Sequence, residues 1–326
     1  MPFRPFTLAA SPCTLLATTT NAADAVARAR DRSGTVLIVA MLKLVAGVLA
    51  GATLVSTAHA AEVRLGQVGL SFYAVKGEVA RAVLEENGHT VETIEGSHAD
   101  IYPRLGAGEV DLLAASWLPN GHADLFAEVE SSVERLTPLY DDARFFWVVP
   151  DYVPEDQVSA IADLADPAVA ERMNKTIATL APSTGLTIGA ERMMEEYGLD
   201  DAGYELVPGS AEDWVASLRT ATQNEEWVVL PLWQPQWLNA DFAVRRLDDT
   251  RNVYGADDTT WLVAHEDLSE KLDEQTLQHL SNIRLPITAV TEMDRLVNVE
   301  GLTPREAAAR WMADNADFVA GWRPSD

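Results

Sequence analysis

Two short segments bring tryptophan and proline together: Ser116-Trp117-Leu118-Pro119-Asn120-Gly121-His122 and Pro231-Leu232-Trp233-Gln234-Pro235-Gln236-Trp237. An indole face carries a negative quadrupole, so it attracts a cation that has no hydrogen bonds of its own to offer. His122, five residues after Trp117, adds a hydrogen-bonding group beside that face. A third segment, Ser183-Thr184-Gly185-Leu186, opens a helical pattern. The free amides and the dipole at a helix start favour an anion. These residue types suit a small cationic or zwitterionic solute. The plainer alternatives stand beside this reading: Trp117 and Trp233 as core tryptophans capping sheets, His122 as a turn bridge, and Ser183 and Thr184 as simple N-caps.

Other chemistry is missing from the sequence. Pro182-Ser183-Thr184-Gly185 lacks the lysine and glycine spacing of a phosphate-binding loop. His89, His98, His122, His265 and His279 show no paired metal-ligand spacing, and there is no G-x-S-x-G elbow. The lone cysteine, Cys13, stands ahead of the export segment described below, which removes thiolate chemistry and disulfides from the rest of the chain. The expectation is a binder that performs no turnover, with no cofactor and no metal.

The elements that must position these residues alternate between strand and helix patterns. Val63-Arg64-Leu65 reads as a strand, and Val75, Val79, Ala82 and Val83 follow at helical spacing up to Gly88. Val110–Ala115 is a strand that delivers Trp117, Phe145–Val149 a buried strand, and Thr176–Leu180 a strand leading into a helix with Leu186, Met193, Met194 and Tyr197 on one side. Trp227–Leu230 delivers Trp233, and Thr260–Val263 is another buried strand. Thr303-Pro304-Arg305-Glu306 has the N-cap, first-turn proline and returning glutamate of a helix start. The alternation predicts an α/β fold with mostly parallel sheets, in which ligands gather in the crevice beyond the strand ends. On that placement Trp117 and Trp233 sit past their strands in proline-rich turns. Trp147, Trp227 and Trp261 fall inside apolar strands and are expected in the core, as are Trp311 and Trp322 near the end of the sequence.

The first 60 residues are set apart from this fold. Met41-Leu42-Lys43, the apolar run Leu44–Val55 and Ala58-His59-Ala60 have the charged, apolar and small-residue parts of a secretory signal peptide. No lipid-attachment cysteine follows them, so the expected protein is soluble and periplasmic. With 24 basic and 50 acidic residues the formal net charge is −26. Such a surface repels nucleic acid and anionic membrane. It is either a plain solvated surface or one suited to concentrated salt, where screening removes self-repulsion.

From Glu62 to Trp322 the order of motifs resembles the glycine betaine/proline betaine substrate-binding proteins of ABC importers. The matching pieces are Gly108-Glu109-Val110-Asp111 before Trp117-Leu118-Pro119 and His122, then Val149-Pro150-Asp151-Tyr152-Val153, Glu196-Tyr197-Gly198-Leu199, and Leu232-Trp233-Gln234-Pro235-Gln236-Trp237. The resemblance implies a type II periplasmic-binding-protein architecture, with two α/β lobes, a hinge of crossing strands and a ligand cleft between. Behind the extension and signal peptide of residues 1–60, lobe I would comprise 61–146 and 239–326, and lobe II 147–238. Trp117 and His122 would belong to one lobe; Gly185, Leu186 and Trp233 to the other, with Thr184 and Trp237 beside them. Aromatic faces would surround a quaternary ammonium, while backbone amides and the histidine hold a carboxylate. Where relatives carry a further cage tryptophan this chain has Leu70, and Phe72, Tyr73 or Trp214 would have to supply that wall. The implied partners are the small-molecule ligand and the permease and ATPase subunits at the inner membrane, with the protein itself monomeric. Glycine betaine, proline betaine, choline, carnitine and a sulfonium analogue all stay open as ligands. A periplasmic enzyme and a ligand-sensing signalling protein stay open on the same scaffold.

Overall fold

The computed structural model describes residues 60–182 and 184–324. The extension and export segment expected over residues 1–60 lies outside this range but for Ala60, and so does Ser183.

The chain begins with β1 (Glu62–Val68), α1 (Ser71–Glu86), β2 (Thr90–Gly96), α2 (His98–Gly106), β3 (Leu112–Leu118) and α3 (Ala123–Ala127). In α1, Val75, Val79 and Val83 recur every four residues and so share one face, which is fully buried against the sheet. Each such side chain contributes about 1.5–3 kcal/mol on burial. A charge at Val79 would therefore detach this face. The helix stops at Asn87, followed by Gly88 with φ of 87°, a conformation glycine adopts without steric penalty. Ser97 caps α2 through a reciprocal box with Asp100.

The long strand β4 (Val133–Pro150) leads to β5 (Thr176–Thr179), α4 (Gly185–Tyr197), β6 (Glu205–Pro208), α5 (Ala211–Asn224), β7 (Leu230–Gln234), α6 (Leu238–Asp241) and β8 (Val244–Arg246). Then come β9 (Asp258–His265), α7 (Ile287–Asn298) and α8 (Pro304–Asp314) among the closing helices. Thr303 caps α8 and Glu306 returns the bond, as its sequence predicts.

The main sheet has the order β2-β1-β3-β9-β4-β7, with β8 on β4. β1 is parallel to β2 and β3, and β5 is parallel to β6 in a separate pair. Every pairing of β9, β4, β7 and β8 is antiparallel, which corrects the expectation of mostly parallel sheets. The reason is β9. It returns from far along the chain and inserts between β3 and β4, a direction that alternating strand and helix patterns do not encode. β4 also changes partners along its length, pairing with β9 from Val133 to Ala143, with β7 from Arg144 to Val148 and with β8 from Val148 to Pro150.

Buried side chains form two clusters. One spans the sheet and α1 and includes Trp117, Trp214 and Trp233; the other gathers Trp147, Ile161, Ile177, Met193 and Tyr204 around β5 and α4. Segment 147–238 contributes to both. Trp147, Trp311 and Trp322 are buried, whereas Trp261 and Trp227 are only half-buried, the latter lying under the Arg172 guanidinium at 3.5 Å. The strand expected from Trp227 starts later, at Leu230.

Candidate functional site

The two tryptophan-proline segments are built by different local devices. Trp117 is the penultimate residue of β3 and Trp233 that of β7, so both belong to their strands and do not lie past them as expected. β3 runs further because β9 extends its pairing, with Trp117 opposite Thr260 and Leu118 opposite Thr259, and β7 because β4 extends its own, with Trp233 opposite Phe145 and Gln234 opposite Arg144. After Leu118 the chain turns back on the carboxylate of Asp258, buried at the start of β9. Its oxygens accept from the amides of Asn120 (2.6 Å) and Gly121 (2.9 Å). Burial raises the Asp258 carboxyl, and those amides offset part of the rise. At Gly121 a β-carbon would come within 3.1 Å of both this carboxylate and the Trp117 side chain, so the turn is tight. The second segment is held by Asn239, which donates to the Trp233 carbonyl at 2.8 Å, and by Asp294 of α7, which accepts from the Trp237 amide at 2.9 Å.

Around these turns lies a continuous cluster of rings. Phe72 stands 6.0 Å from Trp117 and 5.4 Å from Trp233, and Tyr73 stands 6.3 Å from Trp117. Phe145 of β4 lies 5.2 Å from Trp117 and opposite Trp233 in the β4–β7 ladder. All but Phe145, which is half-buried, are buried. Leu70 is the residue before α1, and Phe72 and Tyr73, two and three positions beyond it, enter the cluster directly. Trp214 stacks on Trp233 at 5.0 Å and donates its indole N–H to the Pro231 carbonyl at 3.2 Å. Among the described residues its ring partner in the cluster is Trp233. Trp237 packs on Phe242 at 6.2 Å, outside the ring cluster, though it lines a cavity of about 440 Å³ with Leu70, Phe72, Trp214, Trp233 and Asp294. A second cavity of about 470 Å³ lies on the Phe145 side, where Tyr254, Asp257 and Asp258 line it.

His122 precedes α3. Its Nδ1 accepts from the Trp117 amide at 2.8 Å, so the neutral ring carries its proton on Nε2 and has a donor to offer. Burial holds His122 well below the ordinary histidine value, and His98 and Lys76 add to the effect. His98 of α2 stacks on His122 at 3.9 Å and bonds the Ala115 carbonyl at 3.0 Å; burial pushes it down to about 4. Both rings are therefore neutral near pH 7.

The Thr184-Gly185-Leu186 segment is the start of α4. Thr184 accepts from the Thr187 amide at 3.3 Å and donates to the Ala181 carbonyl at 2.9 Å, which is a working N-cap. A β-carbon on Gly185 would touch the Phe145 ring at 3.4 Å, so this helix start faces the ring cluster through Phe145. Leu186 is buried.

Four groups near the site carry weak sequence signals. Lys76 sits one turn beyond Phe72 and Tyr73 on α1, at a spacing that places all three side by side. Tyr140 and Phe145 on β4 and His98 on α2 join only through the tertiary fold. A lysine at a position of the valine face was the one available clue.

A family model described as the substrate binding domain of ABC-type glycine betaine transport system matches residues 61–314. Over 152 residues the chain is 29% identical to the glycine betaine/carnitine transport binding protein GbuC of Listeria monocytogenes serotype 1/2a (strain 10403S). That match covers 47% of this chain and 50% of the relative, so the chain spans about half the length of that curated protein. Among solved structures, the glycine betaine, L-proline transporter binding protein ProX of Borrelia burgdorferi superposes with a TM-score of 0.71 at 23% identity, covering 81% of this chain and 97% of that one. Lactococcal OpuAC in its closed form with glycine betaine gives a TM-score of 0.71 at 24% identity, covering 81% and 100%. These likenesses establish the fold as the α/β periplasmic-binding-protein type II architecture.

Proposed function

The chain belongs to the family of substrate-binding domains of ABC-type glycine betaine transport systems, and on that premise we propose that it captures glycine betaine or a related quaternary-ammonium zwitterion and delivers it to a membrane permease for osmoprotectant uptake. The family is one of transport binding proteins, and in this reading the protein performs no turnover. It acts outside the cytoplasmic membrane as a monomer. No helix among the described residues is long and apolar enough to cross a membrane.

The observation that carries the proposal is the convergence of Phe72, Tyr73, Trp117 and Trp233 beside a neutral His122 whose Nε2 proton is free to donate. Ring faces supply cation–π attraction of about 0.5–2 kcal/mol each, and the ammonium of a betaine has no donors to satisfy. A carboxylate held by His122 and the Gly185 and Leu186 amides at the α4 start, with Thr184 as its cap, adds charge-assisted hydrogen bonds of about 1.5–3 kcal/mol each. In this reading Trp214 buttresses Trp233 and Trp237 flanks the pocket. Segments 61–146 with 239–326 and segment 147–238 act as two lobes, and β4, which changes partners midway, serves as one of the crossing strands.

Titration calorimetry with glycine betaine, proline betaine and carnitine tests the proposal. Saturable one-to-one binding of at least one, with the ligand recovered unchanged, is the expected result. Absence of binding by all three at millimolar concentration rejects it.

A further inference from the structure

Inside the ring cluster lies an amine that belongs to the protein, and burial holds it well below the ordinary lysine value, an effect that Asp294 offsets only in part. The Lys76 side chain is 1% exposed, and its Nζ stands 4.6 Å from the Tyr73 ring centre, 5.1 Å from Tyr140 and 5.3 Å from Phe72. Three ring faces thus surround the amine at a distance where cation–π attraction acts on its charged form. Among the described residues its one hydrogen bond is to the Tyr140 hydroxyl at 3.1 Å, and no carboxylate comes within ion-pair distance. An ammonium has three donors, so two are left over. The closest candidate counter-charge, Asp294, is already engaged by Ser71, Asn298 and the Trp237 amide.

Other donors in the cluster share this condition. Among the described residues the buried indole N–H groups of Trp117 and Trp233 have no acceptor. His122 has its Nε2 proton to offer, as described above. A buried donor left unpaired costs about 1–3 kcal/mol, so a cluster of such donors favours a partner that brings acceptors. The surplus is of donors, on a lysine that has no ion-pair partner among the described residues, whereas a quaternary ammonium brings neither acceptor nor negative charge.

Resting on the reading that this protein binds a quaternary-ammonium solute, we propose that Lys76, which shares the Tyr73 ring with His122, is a specificity residue that joins His122 in pairing with the ligand's carboxylate and turns away cations that lack one. A betaine gains an ion pair that compensates for a second cation beside the rings. Choline, with a hydroxyl in place of the carboxylate, brings no negative charge to hold Lys76 in its charged form against burial, and its own cation meets an ammonium there as a like charge in a medium of low dielectric.

The experiment is calorimetry with glycine betaine and choline on the wild type, Lys76→Met and Lys76→Gln, with thermal melts to establish that the variants fold. Methionine keeps the length of the stem in the core and glutamine keeps a donor without the charge, so the two guard against failure of either one to fold. The expected wild type binds betaine at least 100-fold more tightly than choline, and that ratio falls at least tenfold in a folded variant. A ratio that falls by less overturns the role of Lys76 while the receptor reading stands. Equal binding of choline and betaine by the wild type overturns it too. A wild type that binds neither compound rejects the glycine betaine reading itself, and this inference with it.

Discussion

Trp117 and Trp233 each present large ring area to the cluster, yet they differ in what their loss would do. Trp117 is fully buried, so Trp117→Ala removes a cation–π face and also leaves a core cavity, which costs about 3–5 kcal/mol of stability. Trp117→Phe separates the two effects, since it fills most of the volume and keeps a weaker face. Calorimetry should give betaine affinity at least tenfold weaker for Trp233→Ala and Trp117→Ala, with the phenylalanine variants between these and the wild type. Two alanine variants that melt lower but bind as the wild type does would reduce both residues to packing. At this scale the sequence is informative where the chain marks its own turns. Prolines after Trp117 and Trp233 identify those segments without reference to anything distant, and His122 falls in the same turn. Lys76 and Tyr140 are 64 residues apart and meet only when α1 packs on β4. His98 reaches His122 across α2 and β3, and nothing in the spacing of the two histidines announces a stack.

Elements are held in place by a few buried polar nodes as well as by their apolar faces. Asp111, two percent exposed just ahead of β3, accepts from the Arg64 backbone amide at 2.8 Å, from the Arg64 guanidinium at 2.7 Å and from Lys271 at 2.6 Å. It thereby ties β1 to β3 and to the segment after β9. Burial alone would raise its carboxyl, but Arg64 and Lys271 outweigh this and hold it below the usual carboxylate range. A depressed value means that Asp111 contributes stability above its ordinary value of 3.8, and that this is lost as pH falls through the lower folded value. Asp111→Asn should therefore cost about 2–3 kcal/mol at pH 7, less than a wholly buried pair because both cations are partly exposed. Denaturant melts should find the gap between wild type and variant shrinking as the pH is taken below 3.8; a gap independent of pH would mean that packing, and not charge, accounts for it. The local elements, β1, α1 and the capped start of α8, are legible because period and caps are written within a dozen residues. The place of β9 between β3 and β4 is not. Its centre, Thr260–Val263, reads as a buried strand compatible with either direction, and only the competition for pairing partners along β4 decides the answer.

Across the whole molecule, the ring cluster draws on α1, β3, β4 and β7, with the α4 start behind Phe145, so it is assembled from both of the proposed lobes. A ligand can satisfy its cation and its carboxylate together only when those elements approach, and differential affinity for that arrangement is what would drive closure. The formal net charge of −26 works against it, since both lobes carry excess carboxylates that repel as they near each other. Salt modulates that repulsion: raising ionic strength from about 0.1 M to about 1 M shortens the screening length from about 10 Å to about 3 Å. Small-angle scattering should accordingly give a smaller radius of gyration with saturating glycine betaine, and the ligand-free radius should itself contract as salt rises. The ligand-induced change is then largest at low salt, where the open state is most favoured by repulsion. A radius unaffected by ligand at every salt concentration, with binding verified in the same samples, would mean that the site is closed before the ligand arrives, and that selection among solutes rests on the groups lining it with no contribution from closure.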